Sequence, residues 1–178
     1  VASILLAGCS SSFVDPSYGK VSYDDLTRRT PPLEWQLTTE FQRNGTALPQ
    51  AEKELYTHVE RVVRASGIAI PTTNSTAPEL SIVVNNIADL GEAAVKGFGT
   101  GLTFGLAGSH VTDYYEMKIT LTDGNTVIRK SGYKHAIHTT VGNASGPTGV
   151  KSVSLGVAFS IVIEQLVLNA LKDIEEEY

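Results

Sequence analysis

The chain has 178 residues, 42% of them hydrophobic and 19% charged, enough for one globular domain with its own core. Fourteen Lys and Arg against nineteen Asp and Glu give a net charge of −5, and neither sign is gathered into a block, which excludes the basic footprint of a nucleic-acid binder. The single cysteine excludes an internal disulfide and any cysteine-rich zinc or iron–sulfur site.

That cysteine closes Leu6-Ala7-Gly8-Cys9, with the apolar pair Ile4-Leu5 before it and Ser10 to Ser12 after it. The motif resembles the lipobox of bacterial lipoproteins, in which small residues beside the cut fit a membrane peptidase and the apolar run holds the site in the bilayer. The resemblance implies that the peptidase recognises Leu6, Ala7 and Gly8, that Cys9 carries the lipid, and that residues 1–8 are the remnant of a signal peptide. Val1 stands where Met is usual, and no Lys or Arg precedes Cys9, so a clipped or misassigned N-terminus is expected. Several acyl chains on one cysteine give the multiple anchors that stable membrane residence requires. Ser10 rather than Asp after the cysteine implies, by the same resemblance, the outer membrane and a periplasm-facing domain.

Residues 9–32 are rich in Ser, Asp, Tyr and Pro without a sustained period, and read as a lipidated N-terminus and flexible tether. A single domain is expected over residues 33–178. Leu33, Trp35, Leu37, Thr39 and Phe41 alternate with polar residues, the period of a strand with one buried face. Asn44-Gly45 supplies a turn. Between Gln50 and Ser66, Leu55, Val59, Val62 and Val63 share one face of an amphipathic helix that Gly67 is placed to end. Trp35 and Phe41 are expected to be buried against Leu55, Val59 and the C-terminal helix. Ile68 to Ile70 forms a short strand, and Leu80, Ile82 and Val84 mark a more deeply buried one.

Tyr115, Met117, Ile119 and Leu121 share one face of a further strand, Asp123-Gly124 signals a hairpin, and residues 126–140 return, with a bulge expected around Gly132. After a Gly, Ser and Pro loop, residues 152–177 form a long helix whose only charge between Ser152 and Leu171 is Glu164. The span is long enough to cross a bilayer. Glu164, Gln165 and Asn169 would be costly there, and favour a core helix instead. The expected fold is α+β: a mixed or antiparallel sheet of about four to five strands with two helices packed on one face.

Residues 90–111 form a Gly-rich insertion with six glycines and no charged side chain from Gly97 to Ser109. Gly97, Gly101 and Gly105 fall four apart, so a helix there would have a smooth face for close packing, flanked by Phe98 and Phe104. These five residues are the candidates for packing or membrane contact; a plain loop and a hairpin are the other readings. The spacing does not fit a phosphate-binding loop. Asn44-Gly45-Thr46 and two similar triplets match the glycosylation pattern and are read as turn chemistry.

His135 and His138 lie three apart in a strand, on opposite faces, which argues against a joint metal site. His58 falls among helix charges and is expected to be solvated, and no partner for His110 is legible. No nucleophile elbow, His-Glu-x-x-His motif or free cysteine nucleophile is present, so no catalytic residue, metal or cofactor is assigned. The function expected is a non-catalytic, lipid-anchored envelope protein acting through protein contacts with a partner or with copies of itself. The competing expectation is an oligomer that inserts its Gly-rich segment into the membrane, an architecture that resembles the curli secretion lipoprotein. An envelope hydrolase is the third.

Overall fold

The computed structural model describes residues 10–18, 21–88, 109–141 and 146–178. The chain begins with β1 (Ser10–Val14) and a single 3-10 turn at Tyr23–Asp25, then enters β2 (Leu33–Arg43). Asn44 and Gly45, both at positive φ, form the turn to the two-residue β3 (Thr46–Ala47). A 3-10 turn at Pro49–Ala51 leads into α1 (Glu52–Ser66). The helix ends at Gly67, whose φ of 72° is the left-handed cap expected of a glycine there. Then come β4 (Ala69–Pro71), β5 (Glu79–Ile87), β6 (Ser109–Asp123), β7 (Thr126–Val141) and α2 (Leu155–Glu175).

Among the described residues the sheet has seven strands, in the order β1-β7-β6-β5-β2-β3, with β4 pairing the start of β2. It is mixed: β2 runs parallel to β4 and β5, and the other pairs are antiparallel. The fold is α+β, as the sequence indicates, with more strands than its periodicity shows. The short strand expected at residues 68–70 is β4, and the additions, β1 and β3, are five and two residues long, too short to carry a period of their own.

Both helices cover one face of the sheet. Leu80, Ile82 and Val84 of β5 pair directly with Leu121, Ile119 and Met117 of β6, so these side chains point the same way. They share a core with Leu55, Val59 and Val62 of α1 and with Val162, Leu166 and Leu171 of α2. Trp35 and Phe41 lie in the same core, Trp35 edge-on to Tyr178 and Phe41 edge-on to Phe159 of α2. α2 is long and apolar enough by composition to cross a membrane, yet nine of its residues are buried within the fold, the placement of a core helix.

The tether expected over residues 9–32 is corrected from Ser10 onward. β1 pairs antiparallel with the end of β7, from Ser10 opposite Val141 to Val14 opposite Ile137. Leu26 is buried, the Thr27 amide donates to a Glu175 carboxylate oxygen at 2.9 Å, and the Arg29 amide donates to the Gly67 carbonyl at 2.9 Å. These are tertiary contacts to distant segments, so they leave no trace in local periodicity. The folded unit therefore takes in residues before 33.

Phe13 of β1 is buried beneath Gly146, where an added Cβ would collide with the Phe13 ring. Only a hydrogen fits there. Gly146→Ala is therefore expected to push Phe13 out and cost about 1–3 kcal/mol, the usual range for overpacking. Hydrogen exchange would report it as faster exchange of the β1 amides.

Candidate functional site

Strand directions bring many chain segments to one end of the sheet. The parallel strands β2 and β5 finish toward it, at Arg43 and Ile87, and the antiparallel β6 starts five residues further out, at Ser109, to reach Tyr114 opposite Ile87. β7 finishes there at Val141 and β1 starts there at Ser10. Val153 exchanges two backbone hydrogen bonds with Ser12, of 3.1 and 2.9 Å, which fixes the start of α2 at the same end. The start of α1 follows from the short β2–β3 hairpin.

A cleft of about 480 Å³ opens among these ends. Its apolar wall is an aromatic cluster: Phe159 lies 5.9 Å from the rings of both Phe41 and Tyr115. Its polar side carries Arg43, Glu54, Asn86 and Asp113. Asn86 Nδ2 donates to Asp113 Oδ1 at 3.3 Å. Burial, with the nearby Asp113 charge, pushes the Tyr115 phenol above its ordinary range, so it stays protonated and is no base. An apolar wall with a few charged groups suits an amphipathic segment. His58 stands behind this wall, edge-on to Phe159 at 5.7 Å, half-buried rather than solvated. Burial lowers its pKa, with Arg61 assisting, so the ring is biased toward neutral.

On the opposite face lies a group whose three members the sequence does not link. Asp15 and His138 have no exposed side-chain surface, and His138 Nε2 donates to Asp15 Oδ2 at 2.8 Å. A carboxylate only accepts, so Nε2 carries a proton, and Nδ1 shares a hydrogen bond of 2.8 Å with the Thr112 hydroxyl. Asp15 Oδ1 accepts from the Ser17 amide at 2.9 Å and its hydroxyl at 2.6 Å. Burial alone would push the Asp15 carboxyl up. The hydrogen bonds from Ser17 and His138 outweigh it and hold the carboxyl below its ordinary value.

The order hydroxyl, imidazole, carboxylate is also that of a nucleophilic relay. Here the imidazole and carboxylate are sealed from solvent, and Thr112 neighbours the cleft residue Asp113 on the strand and so faces away from the cleft. The group joins β1, β6 and β7. His135 goes elsewhere: its Nε2 pairs with Gln165 Oε1 of α2. The two histidines thus serve different partners.

Of the residues singled out from sequence, Leu6, Ala7, Gly8, Cys9, Gly97, Phe98, Gly101, Phe104 and Gly105 lie outside the described residues. His110 is exposed at the start of β6. Sequence reasoning missed the cleft, whose residues come from six segments. Its one local signal was the alternation that placed Phe41 and Tyr115 inward.

No known family's sequence profile matches the chain, and no curated protein matches it. Among solved structures it is similar to the dodecamer of a PelC point variant from Paraburkholderia phytofirmans, at 14% identity and a TM-score of 0.37, over 93% of this chain and 97% of that one. A DUF4136 family protein from Bacteroides thetaiotaomicron matches at 12% identity and a TM-score of 0.35, over 95% and 96%. A putative neuraminyllactose-binding hemagglutinin homolog from Helicobacter pylori matches at 12% and 0.34, over 91% and 88%. Likenesses at this level assign neither family nor function.

Proposed function

We propose that this protein is a non-catalytic lipoprotein of the bacterial envelope, anchored by lipid on Cys9 at the outer membrane, that binds a protein partner through its cleft. The observation that carries this reading is the seat of β1. Leu6-Ala7-Gly8-Cys9 directly precedes a strand fixed at the cleft end, so the anchor would hold the cleft close to the membrane. Its partner is then a segment that also lies at the membrane, with an apolar stripe for the aromatic wall and polar groups for Arg43, Glu54 and Asp113.

Cys9→Ala is expected to leave uncut precursor or misplaced protein, measured by fractionation and by mass analysis of the N-terminus. Normal sorting and acylation of that variant would end the lipoprotein reading. For the cleft, a photo-crosslinking residue at Leu48 should give a discrete adduct in envelopes, and one at Thr76, on the opposite end, should not.

The second reading, an oligomer that inserts residues 90–111 into the bilayer, is supported by where that segment departs and returns. Ser109 lies in the row from which Cys9 would anchor, and Ile87, five residues further in opposite Tyr114, runs toward the same end. If Gly101 sits on a close-packing face, Gly101→Leu should abolish assembly or membrane protection of the segment while the domain stays folded. Crosslinking and native mass measurement would show it.

A further inference from the structure

We infer that the cleft end of the domain is itself a bilayer-binding surface, in which Val111, Leu155 and Val157 enter the headgroup region beside the anchor. This rests on the reading of Cys9 as the lipidated residue and adds how the folded domain sits on the membrane.

Single exposed apolar residues need no explanation. Their distribution here does. Among the described residues, the three most exposed large hydrophobics are Val111 at 56%, Leu155 at 55% and Val157 at 48%, all at the cleft end. The next, Val127 at 39%, lies in the β6–β7 hairpin at the far end.

Pairing ties Val111 and the start of α2, which carries Leu155 and Val157, to the anchor. Val111 lies opposite Thr139, Thr139 opposite Ser12, and Ser12 is bridged to Val153, two residues before Leu155. The row Ser10, Val141 and Ser109 closes this end of the ribbon. Cys9 follows within about 3.8 Å of Ser10, Cα to Cα. Val111 and Ser12 lie two residues in from that row, about 7 Å along the strands. An interfacial surface sinks roughly 5–10 Å below the headgroup boundary. An anchor with no spacer therefore brings this row to the depth at which apolar side chains are favoured.

The chemistry of the end agrees. From Ser152 through Ile163 there is no charged side chain, so the first turns of α2 bring no ionised group into the interface. Lys151 and His110, both exposed, flank the patch as groups that can meet lipid phosphates. Asp113, the nearest carboxylate on β6, belongs to the cleft, where it accepts from Asn86.

Tryptophan placed at each site, as Val111→Trp, Leu155→Trp and Val157→Trp, reports depth through quenching by nitroxide-bearing lipids, with Asn125→Trp in the far hairpin as reference. The acylated full chain is placed in vesicles of phosphatidylethanolamine with a minor share of phosphatidylglycerol. The three sites should be quenched at least about twofold more than Asn125→Trp. Equal, weak quenching at all four, with acylation verified by mass, overturns the inference and leaves the anchor standing. So does weak quenching accompanied by crosslinks between copies at these sites, which would assign the patch to a second chain. If mass shows no acyl chain on Cys9, the anchor reading fails instead. The same variants coupled through Cys9 to a maleimide lipid then decide the surface by the same comparison.

Discussion

Replacing Asp15 by alanine is expected to destabilise the domain by about 1–3 kcal/mol at neutral pH, the cost of leaving a buried donor without its acceptor. The change leaves His138 Nε2–H without its carboxylate acceptor in a site with no solvent to replace it. It also frees the Asp15-Pro16-Ser17 turn, which the carboxylate closes through the Ser17 amide and hydroxyl. β1 should detach first, because its other ties are the pairing with β7, the single Ser12–Val153 bridge and Phe13.

The pH dependence has a definite sign. The Asp15 carboxyl is held below its ordinary value in the fold, whereas in the unfolded chain it titrates near about 3.9. The unfolded state therefore binds the proton first as pH falls, and the stabilisation, complete above about pH 4, is lost as pH drops through the folded value. Wild type and Asp15→Ala should differ most at neutral pH and converge in acid. Denaturant unfolding across that range measures it, and parallel curves would sink the assignment. His138→Ala should show a similar loss near neutrality.

Trp35→Ala carries the other large effect. Trp35 is almost wholly buried where β2 meets β4, with Tyr178 against its ring. Truncating such an aromatic costs about 3–5 kcal/mol, a large share of the roughly 5–15 kcal/mol typical of a domain. Urea unfolding should show a midpoint well below that of wild type with a similar slope. An unchanged midpoint would mean that Trp35 is not part of the core.

The two residues differ in how legible they were. Trp35 belongs to an eleven-residue strand whose alternation is printed in the sequence, so its burial follows from a period of two. Asp15 sits in a Ser- and Pro-containing segment with no period, and its partner is 123 residues away. Local reading sees Asp15-Pro16-Ser17 as a turn and stops. The cleft was opaque for the same reason: Phe41 and Tyr115 were placed inward by alternation, but nothing local says that Arg43, Glu54 and Phe159 meet them. Long elements and turn chemistry are written locally, whereas short edge strands and clefts are made by the topology.

Gly132 separates β7 into two phases. Met117 lies opposite Tyr133 and Lys118 opposite Ser131, so Gly132, at φ 86°, is the unpaired extra residue. Before it the even-numbered residues face the helices: Ile128 joins the core and Lys130 reaches Glu177. After it the odd-numbered ones do: Tyr133 donates to Asp173 at 2.6 Å and His135 meets Gln165. The glycine acts as a frame shift written into a strand. Were Gly132 forced to pair as a regular strand residue, only one half could keep its phase: with the hairpin half in phase, His138 would turn toward the helices and away from Asp15, and with the distal half in phase, Ile128 would turn out to water. A β-branched residue at this left-handed position is thus a larger lesion than most substitutions, because regular strand geometry there forces the strand to choose between its core and its lock on the N-terminal segment.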